Sequence, residues 1–225
     1  MTSLRAIKPD IMIEFRQPYT GPAMRKYGNM LRAADCPNVA LINRVATTDL
    51  RLLSGKTAVH ADMLMWHNSE SVENAALQLL NVLFSVPQIS VKLADIPKEH
   101  FEMVRFYTDY WLKNRDLLLE GEFVPYSPQS NYPMITGKSK EKNITALYND
   151  MFVPIKTTSN QKIDIVNAKA SKRIIIDVTG KQQRYEYVIY NCKGKKVTKK
   201  EINLITGVFA FDVPASGLIS LTPVN

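Results

Sequence analysis

Apolar and polar positions along the first half of this chain switch between two periods. Residues 11–15, Ile-Met-Ile-Glu-Phe, form a short apolar run behind Lys8-Pro9-Asp10, which predicts a buried strand ending at a polar position. A loop containing Pro and Gly follows. Between positions 39 and 53, Val39, Leu41, Ile42, Val45, Leu50, Leu52 and Leu53 recur at near-helical spacing, and Gly55 stands where a helix stop is expected. The alternation continues with a strand over 57–66, then a helix over 69–84 with a serine start and a stop at Pro87. A strand over 89–93 comes next. The last helix of this half spans 97–119 and carries Phe101, Val104, Tyr107, Trp111, Leu112 and Leu118 on its core face. Strands alternating with helices imply parallel pairing with helical crossovers, as in an α/β barrel or a doubly wound sheet.

After Gly121 the period changes to two. Strands are predicted over 144–148, 151–155, 162–166, 173–178, 185–190, 196–202, 208–213 and 218–221, with Asn191-Cys192-Lys193-Gly194 as a hairpin turn. That spacing predicts an antiparallel sandwich. The expected division is residues 1–122 and residues 123–225. The length, 225 residues, suffices for two such units, and 45% hydrophobic with 22% charged residues excludes a disordered or fibrous chain. No stretch is long and apolar enough to span a membrane, and Arg5, Lys8, Asp10, Glu14 and Arg16 fall where a signal peptide needs an apolar centre, so no membrane partner is expected.

Charge is distributed unevenly. Residues 1–120 carry 14 Lys+Arg against 13 Asp+Glu, net +1, and residues 121–225 carry 15 against 8, net +7, which together make the +8 of the chain. Lys193, Lys195, Lys196, Lys199 and Lys200 cluster around the hairpin. With no nucleic-acid module and few interleaved aromatics, they read as a solvated hairpin, and no nucleic-acid partner is expected. Cys36 and Cys192 lie far apart in different units, so a disulfide is a poor default. Three histidines, His60, His67 and His100, without a close Cys pair do not make a zinc cluster, and neither metal nor cofactor is expected.

Several short motifs occur in a telling order. Pro9-Asp10-Ile11-Met12-Ile13-Glu14 is followed by Arg32-Ala33-Ala34-Asp35-Cys36-Pro37-Asn38, then Arg44 and Gly55. Farther on come Leu93 to His100, Tyr110-Trp111-Leu112-Lys113-Asn114-Arg115-Asp116-Leu117-Leu118 and Gly121-Glu122-Phe123. In this order the chain resembles the C-terminal half of the catalytic barrel, plus the C-terminal β-domain, of the melibiase-like α-galactosidases of glycoside hydrolase family 36. The resemblance implies about the last four strand–helix units of a (β/α)8 TIM barrel followed by an all-β antiparallel sandwich. It implies retaining hydrolysis of terminal α-galactosides, in which one carboxylic acid protonates the leaving oxygen and a second carboxylate, roughly 5–5.5 Å away, attacks the anomeric carbon.

By the same resemblance Asp35 matches the acid/base, and Arg16 and Gly21 fall in the stretch that approaches substrate; Arg32, placed to position Asp35, and Asp62, on a strand face directed to the barrel interior, are further substrate-binding candidates read from the residues. The family's nucleophile stands on the fourth barrel strand, and this chain begins on the approach to the fifth. Lys8-Pro9-Asp10 has the spelling of that motif but leads into the fifth strand, so Asp10 is not assigned the role. The expected partners are therefore an α-galactoside or related oligosaccharide, together with the missing N-terminal barrel half or a second copy joined through exposed sheet edges. One departure touches specificity: Arg16 stands where typical members have a cysteine, and its fixed fork of donors suits sugar hydroxyls, a substrate carboxylate or the catalytic carboxylates. A noncatalytic carbohydrate-binding or scaffold protein is the alternative. Read from the residues alone, Asp35 also suits a turn or helix cap, Arg16 an ion pair with Glu14 or Asp35, and His60 with Asp62 a buried structural pair.

Overall fold

A computed structural model describes residues 2–224, apart from 17–20, 34, 36, 37, 158 and 159. Cys36, half of the cysteine pair considered above, lies outside the described residues.

The first half lays short parallel strands side by side in chain order. α1 (Thr2–Ile7) leads to β1 (Glu14–Phe15) and β2 (Met30–Arg32), and α2 (Ala40–Ser54) connects β2 to β3 (Ala58–His60). β1 pairs with β2 and β2 with β3, so that Leu31 faces Val59 and Arg32 faces His60. Single parallel bridges, His60 to Val86 and Leu64 to Ile89, extend the arrangement to a fourth segment. α3 (Val72–Asn81) precedes that segment and α4 (Lys98–Glu120) follows it. The strand expected over 89–93 is thus reduced to isolated bridges beginning at Val86. β2 was not legible in the sequence because its three residues hold one fully buried apolar side chain, Leu31, which is too little to show a period.

α2 forms where its apolar spacing predicts, yet it buries the opposite face. Asn43, Arg44, Thr47, Thr48 and Ser54 are buried, while Leu41, Ile42, Leu52 and Leu53 are exposed. Two arginines explain the inversion. Arg44 donates to Asn131 O at 3.1 Å and to Asn81 Oδ1 at 2.7 Å, with its guanidinium 4.1 Å from the Tyr148 ring centre. Arg51 donates to the carbonyls of Phe84, Leu118 and Leu119 and lies 4.0 Å from the Phe123 ring. The last two carbonyls belong to the final turn of α4, whose orphan acceptors favour a cation. Burial pulls the Arg51 guanidinium down to about 10, so it remains charged at neutral pH. Arg51→Met keeps the apolar stem and strips three carbonyls of their donor. The expected loss is about 2 kcal/mol in a urea melt; an unchanged midpoint would mean that water replaces the guanidinium.

Ser71 caps α3 by accepting from Asn74 N at 3.2 Å, and Val72, Ala75, Ala76, Leu79 and Leu80 are buried. α4 buries His100, Met103, Val104, Tyr107, Tyr110 and Leu118. Phe101 and Leu112, expected on that face, sit a step around the helix and are largely exposed.

Beyond Gly121 the chain forms β4 (Glu122–Tyr126), β5 (Met134–Lys138), β6 (Lys142–Leu147), β7 (Phe152–Thr157), β8 (Lys162–Asn167), β9 (Arg173–Gly180), β10 (Gln183–Tyr190), β11 (Lys196–Leu204), β12 (Gly207–Asp212) and β13 (Leu218–Pro223). They build a seven-stranded sheet, β11-β10-β13-β8-β6-β5-β4, and a three-stranded sheet, β12-β9-β7. Contrary to the all-antiparallel expectation, β6 pairs with β8 and β7 with β9 in parallel. The chain changes sheets at β7, returns at β8 and changes again at β9, so strands two apart in sequence become parallel neighbours.

Alternation along the strands of the large sheet separates two apolar layers. One face, with Ile135, Ile144, Ala146, Val166 and Leu218, packs on α3 and α4. The other, with Met134, Leu147, Ile163, Ile165, Ile219 and Leu221, packs on Val153, Ile155, Ile174, Ile176 and Val178 of the small sheet. The hairpin at Asn191–Gly194 closes as the sequence suggests: Gly194 has φ +77°, and Asn191 Oδ1 accepts from the amides of Lys193 and Lys195. Its lysines are partly spoken for, since Lys193 pairs with Glu99 at 2.6 Å and Lys199 with Glu186 at 2.8 Å.

Candidate active site

Parallel strands in sequential order bring their carboxyl ends to one edge. Arg32 ends β2 and His60 ends β3; Asp35 and Asp62 lie three and two residues beyond them, and Glu14 comes from β1. The edge therefore gathers three carboxyls, two guanidiniums and an imidazole from sequence-distant segments.

Arg32 is the hub, with only 12% of its side chain exposed. Its Nη1 lies 3.2 Å from Asp62 Oδ2, its Nε 3.3 Å from Glu14 Oε1, and its Nη2 4.0 Å from Asp35 Oδ1. The Nε contact is ionic without the alignment of a hydrogen bond. Asp62 is 3% exposed, and the ion pair with this guanidinium offsets the desolvation of its carboxylate. His60 Nε2 sits 3.1 Å from Glu14 Oε2, and its Nδ1 3.0 Å from Ala61 O. Ala33 N donates to His60 O at 3.0 Å, continuing the pairing of the two segments past the ends of the strands. Next to Asp62, Met63 has φ +28°, an unfavourable backbone for a residue with a side chain, held at the rim of this cluster.

Asp35 is the exposed member. Arg16 donates to its Oδ2, and about half of each side chain is accessible. The hydrogen bond from Arg16 holds the Asp35 carboxyl below the usual carboxylate range. Desolvation opposes this, and the charges of Arg16 and Arg32 lower the carboxyl further. Asp35 does not cap α2: the capping position is Val39, and no side chain serves there.

Four of the residues singled out from the sequence, Arg16, Arg32, Asp35 and Asp62, thus come together. Gly21 instead precedes a 3-10 turn (Pro22–Lys26), where its carbonyl accepts from Met24 N, and open space lies where a side chain would project. Glu14 and His60 complete the cluster. Neither was marked as a site residue, although Glu14 ends an apolar run and His60 lies two positions from Asp62. Asp62 itself lies beyond β3, on a turn. Among the described residues no group of His, Cys, Asp and Glu forms a metal cage.

No family model matches the chain, and no curated protein is detectably similar to it in sequence. Solved structures are similar in fold. The galactosidase domain of the alpha-galactosidase-sucrose kinase AgaSK aligns over 99% of this chain with TM-score 0.57 and 12% identity, and a glucosidase from Croceicoccus marinus aligns over 100% with TM-score 0.51 and 11% identity. The chain has a glycoside hydrolase-like fold. It spans 30% of the first of those chains and 63% of the second.

Proposed function

We propose that this chain is part of a retaining α-glycosidase that hydrolyses terminal α-galactosides or related oligosaccharides. Residues 1–122 supply the last four strand–helix units of an eight-stranded barrel, and residues 123–225 its C-terminal β-domain. The open edge of β1 takes the remaining strands, one of which brings the nucleophile. The observation that carries this reading is the place of Asp35: a half-exposed carboxyl at the edge where parallel strands end, the location at which barrel enzymes assemble their chemistry. Asp35 is the acid/base, while Arg32 and Asp62 fix its surroundings and offer donors and acceptors to sugar hydroxyls.

A general acid must arrive protonated, and Arg16 holds Asp35 ionised. A leaving oxygen that takes the place of Arg16 removes the largest influence lowering this carboxyl. The same ion pair favours a second reading, a noncatalytic saccharide-binding protein in which Asp35 and Arg16 only form hydrogen bonds.

The test combines a 4-nitrophenyl α-D-galactoside assay with a galactose titration followed through backbone amide resonances. For the enzyme-part reading the expected result is turnover at background, with shifts confined to residues 14–16, 30–35 and 58–62. Turnover abolished by Asp35→Asn would place the nucleophile within this chain, and absence of shifts at that edge would remove the site altogether. Binding that persists while addition of the other barrel half restores no turnover selects the noncatalytic reading.

A further inference from the structure

The fourth segment of the parallel array carries side chains that the charged edge leaves unused. Val86 bridges His60, and side chains paired in parallel strands share a face, so Val86 lies on the face of His60, Arg32 and Glu14. Alternation then turns Pro87 and Ile89 outward and Gln88 and Ser90 inward. Packing agrees: Pro87 lines an apolar crevice with Leu83, Tyr107 and Trp111, and Ile89 packs against the core formed with α3 and α4. Main-chain hydrogen bonds fix the register, Leu64 N donating to Gln88 O at 2.8 Å and Ser90 N to Leu64 O at 3.0 Å. From His60 to Leu64 the chain uses one residue more than from Val86 to Ile89. The extra residue bulges at Met63, with φ +28°, and Met65 returns to the inner face beside Ser90.

This surface continues the charged edge with uncharged groups. Gln88 is exposed, Ser90 half-buried and Met65 42% exposed. Among the described residues, the Gln88 amide and the Ser90 hydroxyl have no hydrogen-bond partner. No charged residue stands between Val86 and Val91, and Lys92 is held by Asp95 at 2.8 Å. An amide donates and accepts at once, and so does a hydroxyl, which is what the hydroxyls of a neutral sugar require. A flexible thioether covers the apolar face of a ring.

We propose that Gln88, Ser90 and Met65 bind a second, neutral ring of the saccharide on the leaving-group side of Asp35, and so set a preference for at least a disaccharide. The assignment rests on the Asp35 edge being a saccharide site and gives that site a direction. The nucleophile arrives beyond the open edge of β1, which puts the terminal ring on that side of Asp35. The leaving ring lies on the other side, where β3 and the fourth segment follow. That segment stands two strand spacings from β2, about 10 Å away, so one ring at Asp35 does not cover it.

Titrations of the intact chain with galactose and with melibiose, a galactose joined to a glucose, followed through backbone amide resonances, test the assignment. Melibiose is expected to move residues 63–65 and 86–91 in addition to those that galactose moves, and to bind about fivefold more tightly or better. Gln88→Ala and Ser90→Ala should each weaken melibiose by about threefold to tenfold and leave galactose within about twofold of the parent. Melibiose shifts that stop at residue 62 with the affinity of galactose, or variants that weaken both sugars alike, overturn the second-ring assignment and leave the Asp35 edge in place. Galactose moving 86–91 as strongly as melibiose does gives that surface to the terminal ring and overturns its leaving-group role. No shift at 30–35 and 58–62 with either sugar removes the edge, and the assignment with it.

Discussion

Lys142→Met is expected to destabilise the protein by about 3–5 kcal/mol, because it leaves a carboxylate buried without its counter-charge. Asp164, in β8, is 2% exposed and points at α4 from between two isoleucines that face the other way. Lys142 Nζ lies 2.6 Å from its Oδ2, Tyr110 donates to that oxygen at 2.8 Å, and Ser220 donates to Oδ1 at 2.6 Å. The ammonium lies over the Tyr110 ring, 5.6 Å from its centre, and also donates to Asn114 Oδ1 at 2.9 Å. This network joins α4 to three adjacent strands of the large sheet, β6, β8 and β13. Burial and the adjacent Asp164 push the Tyr110 phenol well above its ordinary range, so it stays a donor at any working pH.

The double variant Lys142→Met/Asp164→Asn removes both charges and should recover a large part of the loss, since the cost lies in the orphaned ion rather than in the missing attraction. Chemical denaturation of the two proteins measures this directly, and the melting temperature of Lys142→Met should drop by on the order of 10 °C. A single variant within about 1 kcal/mol of the parent would show that Asp164 is satisfied by its two hydroxyls alone.

Period-two patterns made much of the second half readable. Along β9, Ile174, Ile176 and Val178 are buried between exposed or half-buried neighbours, the signature of a sheet with one covered face. β7 shows the same pattern in Val153, Ile155 and Thr157. What that pattern cannot specify is direction: alternation looks the same in parallel and antiparallel ladders, so the β6–β8 and β7–β9 pairings were invisible. β4 and β5 went unseen for local reasons, Pro125 interrupting one and Gly137 the other, where Gly137 packs against Leu117 and Phe84. In α2 the helical period was clear and its meaning reversed, because arginines bonded to carbonyls and stacked on aromatic rings replaced leucines as the buried contacts. Of the charged edge, the sequence pointed to Asp35, Arg16, Arg32 and Asp62 through motif order. The role of Glu14 as partner to both Arg32 and His60 depends on strand register, which residue spacing does not reveal.

Arg32→Met should cost about 3 kcal/mol, for a reason shared with Lys142 and a consequence that is not. Asp62 loses the Arg32 guanidinium while still buried, and Glu14 keeps the imidazole of His60. Arg32→Lys retains a charge but not a planar fork able to face Glu14, Asp62 and Asp35 together, so it should recover only part of the stability. The edge also responds electrostatically. Arg16, through its hydrogen bond, is the largest influence holding Asp35 low, and Arg32 acts on it only through charge at longer range. Carboxyl titration by carbon NMR should therefore show the Asp35 midpoint rising in both Arg16→Gln and Arg32→Met, and rising further in Arg16→Gln. Because the folded carboxyl is depressed, the Arg16–Asp35 contact contributes at neutral pH and is lost as acid takes the pH down through the folded midpoint. The order of the two shifts discriminates between roles. If Arg32→Met moves Asp35 more than Arg16→Gln does, then Arg32 controls the protonation of this carboxyl, and Arg16 is free to engage substrate from the outset.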